Sequence, residues 1–494
     1  MPKFTLLVRL QSPLESQLEG LISSLEAQTE PDWALVLVVE TGKVEDFGLA
    51  VRLGHSRPRI QVLQRPAGET LAVTCNGLLP SLGEWVGLLD QHDQLTAGAL
   101  ETMAMAHALQ PQARVLYSDS CYRSRFGRLS FAHRKGALDP ERLRTQEYVG
   151  NLALIQVELL RALGGFDALA TDVPTQDLYL RTVEAFGAEV FLNVPQALCH
   201  HYRDYRAPAP AYPKDALHMV RYDLHAIRQH LVRRQQPGEV SQVHGTAYIQ
   251  YRFPQTPEAR VLLVVDDNIN ASLDRIHAYN RTTAYRPSTT VFVHQGSNPE
   301  ARADYQMLAR ALGHKYVQLV PGQSLPAYVN QELPTLNAER LVLLAGQPID
   351  RSWLTELISH SQLPGVAVVG GRTTTPTRLV SPGIRGYQYD GWDWNTRGRF
   401  NRLTVPHRVS LVSPACAVYD VRTLRALGGF NESLPTLYGM EYSLRVGAAQ
   451  LSQIQVPYSR ILVPEPAALP EDELVQISIA WAGWYDPFNL HHSL

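Results

Sequence analysis

Residues 160–166 read LRALGGF, and residues 424–430 read LRALGGF again, an offset of 264 residues. Identity over seven consecutive positions marks an internal duplication, and the surrounding residues extend it. The same offset carries Asp177-Leu178-Tyr179-Leu180-Arg181 onto Glu441-Tyr442-Ser443-Leu444-Arg445. With small shifts, Val38-Val39-Glu40-Thr41-Gly42 falls on Phe292-Val293-His294-Gln295-Gly296, and Val194-Pro195 falls on Val456-Pro457. Two similar domains are therefore expected, and 494 residues, about three times a typical domain of roughly 150, leave room for both.

Within each copy, short β-branched runs alternate with amphipathic stretches, the pattern of βαβ units on a mostly parallel sheet. Phe4 to Leu10 reads as a strand. Pro13 to Gln28 reads as a helix, because Leu14, Leu18, Leu21, Ile22 and Leu25 recur on one face. Trp33 to Val39 reads as the next strand. Trp85 to Leu89 is a third, running into Asp90-Gln91-His92-Asp93 and a helix from about Thr96, its expected N-cap. Open α/β sheets bind ligands at the carboxyl ends of their strands, so this polar cluster stands where chemistry is expected. Between the copies, Ala207 to Pro213 reads APAPAYP and cannot form regular structure. A helical stretch to about Arg234 follows, with Val220, Leu224, Ile227 and Leu231 on one face. It has two readings: a helix packed between domains, or a basic amphipathic helix making peripheral membrane contact.

Charge and cysteine usage narrow the class. With 45 Lys+Arg against 47 Asp+Glu, the net charge of −2 argues against nonspecific nucleic-acid binding. Four scattered cysteines fit neither a disulfide framework nor a Cys-based zinc site, so a reducing compartment is expected. Cys199-His200-His201 lacks a fourth ligand at zinc spacing. The opening MPKFTLLVRLQSPLESQ lacks the apolar core of a signal peptide. Apolar runs such as Ala34 to Val39 have strand length, far below the roughly 18 residues of a spanning helix. A cytoplasmic location without a transmembrane segment is expected. GxGxxG, GxxxxGK[ST], GxSxG and HExxH are all missing from the sequence.

The order of several motifs resembles the GT-A, inverting family 2 glycosyltransferases, in particular tandem-domain members of the rhamnosyltransferase and O-antigen type. The resemblance covers nearly the whole chain. It rests on Ser24-Leu25-Glu26-Ala27-Gln28-Thr29, on Asn76 followed by Gly83-Glu84-Trp85, and on Leu88-Leu89-Asp90-Gln91-His92-Asp93. It continues through Tyr117-Ser118-Asp119, Gly164-Gly165-Phe166-Asp167, Asp177 to Arg181 and His201-Tyr202-Arg203. Tyr248 to Pro254 looks like the family's interdomain segment, and Asp486-Pro487-Phe488-Asn489-Leu490 looks like its C-terminus. The implied fold is α/β: two tandem GT-A domains, residues 1–206 and 256–494, joined by a Pro-rich and helical linker over 207–255.

The resemblance also implies roles. A nucleotide-diphosphate donor needs its leaving group neutralised, and a divalent cation, Mn²⁺ or Mg²⁺, would do this. The family's Asp-x-Asp is here Asp90-Gln91-His92 followed by Asp93; Asp90, His92 and His201 are the expected metal ligands. Mixed oxygen and nitrogen ligands suit Mn²⁺ better than Mg²⁺. Glu40, Asn76, Asp90, Asp93 and Asp119 are expected to contact the nucleotide sugar. Inversion requires a base opposite the leaving group, and Asp177 is the candidate, with Asp172 as the alternative because Thr175 stands where the family has its first acid. The expected reaction moves a sugar, with dTDP-rhamnose one candidate donor, to a surface-polysaccharide, lipid-linked or protein acceptor. The departures at Glu40, His92 and Thr175 keep open a degenerate glycan-binding or scaffolding protein. In the second copy, laying Leu89 on Leu344 sets Asp90 against Ala345 and His92 against Gln347. The other matches set Glu40 against His294 and His201 against Val463, leaving Glu441 alone opposite Asp177. Residues 256–494 are thus expected to transfer no sugar, and to support the first domain or present a cleft to the acceptor.

Overall fold

The computed structural model describes residues 1–494 except 12, 14, 125–126, 170–173, 204–221, 244, 381–388, 466–467 and 489–494. The expected Leu14, Asp172, the APAPAYP segment, Val220 and the last residues of the C-terminal motif lie outside the described residues. The chain divides into two compact units, one formed by Met1–Gln235 and Val240–Ala247, the other by Gln236–Glu239 and Tyr248–Leu494.

The first unit is built on β1 (Phe4–Arg9), β2 (Trp33–Glu40), β3 (Ile60–Arg65), β4 (Trp85–Leu89), β5 (Asp93–Leu95), β6 (Val115–Ser124), β7 (Leu129–His133), β8 (Ala153–Gln156) and β9 (Phe191–Arg203). A hairpin, β10 (Gly238–Val243) and β11 (Thr246–Tyr251), follows. The second unit repeats the plan with β12 (Ala259–Asp266), β13 (Thr289–Gln295), β14 (Lys315–Gln318), β15 (Arg340–Leu344), β16 (Gln347–Pro348), β17 (Val366–Thr374), β18 (His407–Arg408), β19 (Cys416–Asp420) and β20 (Ser452–Leu462). The two sheets have matching orders, β3-β2-β1-β4-β8-β6-β9-β5 and β14-β13-β12-β15-β19-β17-β20-β16. These are the two similar α/β domains that the duplication implied. The sheets are mixed rather than mostly parallel, because β8 and β19 run antiparallel between their neighbours.

Strand alternation builds two cores per sheet. Leu6 and Val8 of β1 with Leu35 and Leu37 of β2 face the helix Glu15–Glu26, whose Leu18, Leu21, Ile22 and Leu25 are fully buried. Leu7, Val36 and Val38 face the other way, onto Ala72, Cys75, Leu160 and Phe166. Each of those buried leucines is worth about 1.5–3 kcal/mol in burial, which is why the apolar spacing fixes this helix.

The repeated LRALGGF ends in a turn that only glycine permits. Gly165 has φ +86°, and a Cβ placed on it would lie 2.4 Å from Asn76 Oδ1. The Asn76 amide clamps the turn from both sides, donating to the Phe166 carbonyl at 2.8 Å and accepting from the Phe166 N–H at 2.8 Å. Arg181 adds donors to the carbonyls of Leu163 and Gly165, at 2.7 and 2.8 Å. The second unit reproduces every part: Gly429 has φ +76°, Asn330 exchanges the same two 2.8 Å bonds with Phe430, and Arg445 donates to Leu427 and Gly429. The repeat therefore encodes a scaffold.

Two local expectations are revised. Asp93–Leu95 is a strand, not the approach to a helix. The Thr96 N–H bonds to the carbonyl of Leu198 in β9, and the helix begins only at Ala99 after Gly98. Pairing with β9 outweighs the local capping signal. The helix Leu224–Arg233 lies within the first unit, with Ile227 and Leu231 buried and its N-terminus capped by Asp223. No helix among the described residues is long and apolar enough to cross a membrane.

Candidate functional site

The order β3-β2-β1-β4 reverses direction between β1 and β4, and α/β sheets open a ligand crevice at such a switch point. The turn after β4 stands there. Gln91 ties it to the end of β1, accepting from the Gln11 N–H at 2.8 Å and donating to the Gln11 carbonyl at 3.0 Å. That leaves Asp90 and His92 on either side, 44% and 39% exposed. Asp90 Oδ1 accepts from the His92 N–H at 3.0 Å and lies 2.5 Å from its Nδ1. That hydrogen bond raises the His92 pKa above its ordinary value despite partial burial, and His92 Nε2 lies 3.2 Å from the Gln91 amide nitrogen.

Asp93 organises the rest of the corner from below. Its carboxylate is buried, with Oδ2 accepting from the Asp90 N–H at 2.9 Å and from the Asn151 amide at 2.7 Å. Its Oδ1 lies 2.6 Å from Nδ1 of His201, the residue opposite it across the β5–β9 ladder. A carboxylate on Nδ1 fixes the tautomer so that Nε2 carries the lone pair, the usual support for a metal-binding histidine. His201 Nε2 is buried and has no hydrogen-bond partner among the described residues. His201 Nε2 is thus an orphaned, buried nitrogen donor, joined through Asp93 to the exposed Asp90–His92 turn. Ligand atoms of Asp93, Cys199 and His201 also lie within 4.8 Å of one another. Asp93 already has both oxygens engaged, and burial pushes the Cys199 thiol well up, so this trio supports the corner rather than forming a thiolate site.

Two residues that sequence reading passed over complete the corner. Asn151 links to Asp93 through its side chain, and its carbonyl accepts from Lys135 Nζ at 3.0 Å. Lys135 is buried, and desolvation pushes its pKa down to about 8 against the pull of nearby Asp119, Glu147 and Asp93. No local motif marks either one; only the fold brings them in.

The remaining expected residues are dispersed. Asp119, buried in β6, accepts from the Lys135 N–H at 2.9 Å and from Asn193 at 3.3 Å. Glu40 ends β2, 31% exposed, 3.9 Å from Arg65 and accepting from the Gly68 N–H at 3.4 Å. Asn76 is committed to the Gly-Gly turn. Asp177 is buried in the first turn of the helix Pro174–Phe186, with Oδ2 on Arg181 at 2.7 Å and Oδ1 on Arg233 at 3.3 Å.

No family model matches the chain. It is 25% identical over its whole length to the O-antigen biosynthesis protein RfbC of Myxococcus xanthus, covering 40% of that protein. The chain resembles an O-antigen biosynthesis protein. It is also 23% identical, over 94% of its length, to the uncharacterized protein y4gI of Sinorhizobium fredii, covering 53% of it. It thus spans about half or less of the relatives it matches. Among solved structures, Staphylococcus aureus TarS 1-349 superposes on 47% of this chain and 65% of its own at TM-score 0.34 and 15% identity. GalNAc-T7 with UDP, GalNAc and Mn²⁺ superposes on 48% of this chain and 50% of its own at TM-score 0.38 and 12% identity.

Strand registers give the counterparts in the second unit independently of sequence. Phe4 pairs with Trp85 and Trp85 with Gln156; Ala259 pairs with Arg340 and Arg340 with Asp420. On this frame Ala345 follows β15 as Asp90 follows β4, and Ala415 replaces Asn151. The next strand shifts the frame. His200 pairs with Gln94, and its counterpart Leu462 pairs with Gln347, so Gln347 matches Gln94 rather than His92. The second turn is two residues shorter, Gly346 takes the place of Asp93, and His92 has no counterpart. Val463 stands at the place of His201. Glu40 matches Gln295, not His294, which matches Val39; both of the latter are fully buried, as one face requires.

Proposed function

We propose that the first unit is a metal-dependent glycosyltransferase that moves a sugar, with inversion, from a nucleotide-diphosphate donor to a surface-polysaccharide, lipid-linked or protein acceptor. The observation that carries this is the corner at the β1/β4 switch point: exposed Asp90 and His92, joined through buried Asp93 to His201, whose Nδ1 Asp93 holds and whose Nε2 is unpartnered among the described residues. The resemblance to an O-antigen biosynthesis protein over the whole chain supports the substrate class. A divalent cation bound there, Mn²⁺ by the mixed ligand set, would supply neutralisation of a diphosphate leaving group. Gln91 aims the turn, Asp93 orients His201, and Asn151 and Lys135 hold Asp93 from behind. Glu40 is the carboxylate available for the nucleoside part, and dTDP-rhamnose is a donor to test first.

The base is assigned to Asp177 or to Asp172. Asp177 has both oxygens engaged by arginines, so taking a proton from an acceptor hydroxyl would require displacing one of them. The test separates a base from a clamp. Asp177→Asn keeps the shape and removes basicity, so a base loses turnover by orders of magnitude while nucleotide binding persists. Unchanged turnover with lowered thermal stability assigns Asp177 to the clamp and leaves the base to Asp172. For the unit as a whole, metal-dependent binding from a panel of UDP- and dTDP-sugars that Asp90→Ala abolishes is the expected result; affinity unchanged in EDTA would overturn the reading.

A further inference from the structure

The second unit, which has no counterparts of Asp90, His92 and His201, holds a cleft of about 920 Å³ at the carboxyl ends of β12, β13 and β14. That volume lies in the range of roughly 300–1,000 Å³ that takes a small ligand. The chemistry of its walls differs from that of the matching corner in the first unit. There, Glu40 faces Arg65 across the β2–β3 ladder; here the matching places hold Gln295 and Leu319, which carry no charge. The cleft is lined instead by Gln295 and Gln306, whose amides each offer a donor and an acceptor, together with Gln318, Gln323 and Tyr316, which are held by Gly296, by Val320 and Gln331, and by His294.

Its acid is already used. Asp267 accepts from the N–H groups of Ser297 and Asn298, both at 3.0 Å, and lies 2.9 Å from His294 Nε2. Those bonds hold its pKa below the usual carboxylate value. Arg302 is exposed on the wall and forms no ion pair among the described residues. Ala345 and Gly346 remove the ligands that a diphosphate would need on the side toward β15.

We infer that this cleft is a noncatalytic binding site for an uncharged or singly acidic oligosaccharide segment, such as the growing acceptor chain. The neutral amides of Gln295 and Gln306 match sugar hydroxyls, which are both donors and acceptors. Arg302 can meet one acidic substituent. A nucleoside diphosphate would bring more than two negative charges and find one cation and no counterpart of the first unit's corner. The inference rests on reading the chain as a glycan-building protein, but on different residues from that reading.

The test uses the full chain in EDTA, so that the first unit's metal corner is silent. Saturation-transfer NMR is run with α-1,3-rhamnotetraose, α-1,2-mannotetraose, maltotetraose and UDP as probes. At least one tetrasaccharide is expected to bind, and to weaken tenfold or more in Arg302→Ala/Gln306→Ala and in Gln295→Ala, all exposed positions, while Asp90→Ala leaves it unchanged. No tetrasaccharide binding, binding that survives both variants, or UDP binding in EDTA that both variants abolish would each overturn the inference. Failure of Asp90→Ala to change metal-dependent nucleotide binding would instead strike the transferase assignment and leave the cleft untouched.

Discussion

The two units share a scaffold and differ in one corner. Both keep the Gly-Gly turn, its asparagine clamp and the acid–arginine pair behind it, Asp177 with Arg181 and Glu441 with Arg445. At the corner, Asp90, Asp93, Asn151 and His201 in the first unit become Ala345, Gly346, Ala415 and Val463 in the second. Asp119 gives way to buried Arg372, which donates to the carbonyls of Leu403, Trp394 and Thr396. The lesson is that the residues repeated most faithfully maintain the fold, and that the candidate site lies where the repeat fails. A buried carboxylate such as Asp93 is tolerated only with its full set of partners, so losing the site means replacing the whole group together.

The largest effect is expected at that corner. Asp90→Ala should weaken metal-dependent nucleotide binding by about 100-fold or more, measured by calorimetry with Mn²⁺, because even supporting residues of metal sites cost about 10–100-fold. Ala345→Asp in the second unit should restore nothing, since His92 and His201 have no partners there to join it. A gain of metal binding by Ala345→Asp would break the comparison.

The shared scaffold should respond alike in both units. Gly165→Ala and Gly429→Ala each force a side chain into a left-handed backbone and onto an asparagine, at a cost of about 2–5 kcal/mol to the unit concerned. Denaturation followed by near-ultraviolet spectra reads this loss. A change in one unit only would mean that the turns do different work.

Asn151→Ala sharpens the contrast at smaller scale. It removes a donor to Asp93 without touching any proposed ligand, and metal affinity should fall by about 10–100-fold, while Gln347→Ala in the second unit leaves it unchanged. Titration of Mn²⁺ by relaxation enhancement measures both.

The smallest effect is a pH dependence confined to the first unit. Burial lowers Lys135 to about 8 from an ordinary 10.5, so between these values the unfolded chain holds more protons than the folded one. Stability of the first unit should therefore rise with pH above about 8, by up to about 1.4 kcal/mol per pH unit, and Lys135→Met should flatten that slope. Arg372 at the second unit's corner is lowered only to about 10 and keeps its charge through pH 9. Equal slopes in wild type and variant between pH 8 and 9.5, read by urea denaturation, would remove Lys135 from the account.

The sequence by itself determined the duplication, the central strands and the helix Glu15–Glu26, because these follow from local identity and from apolar spacing that burial enforces. It also placed Asp90 and its neighbours at a strand end. Tertiary structure alone decided the rest. The strand Asp93–Leu95 exists because β9, a hundred residues later, pairs with it, and that pairing delivers His201 to Asp93. Asn151 and Lys135 reach the corner through contacts with no sequence periodicity. The shorter second turn was hidden because the match from Leu89 to Leu344 holds up to the turn, and only the ladder partners beyond it show the frame moving by two residues. Glu40 was mismatched by one residue, which reverses the face of a strand; the strand ladders give the true register, and the burial of Val39 and His294 agrees with it. Local chemistry names the residues that a site needs; the pairing of distant strands decides which of them meet.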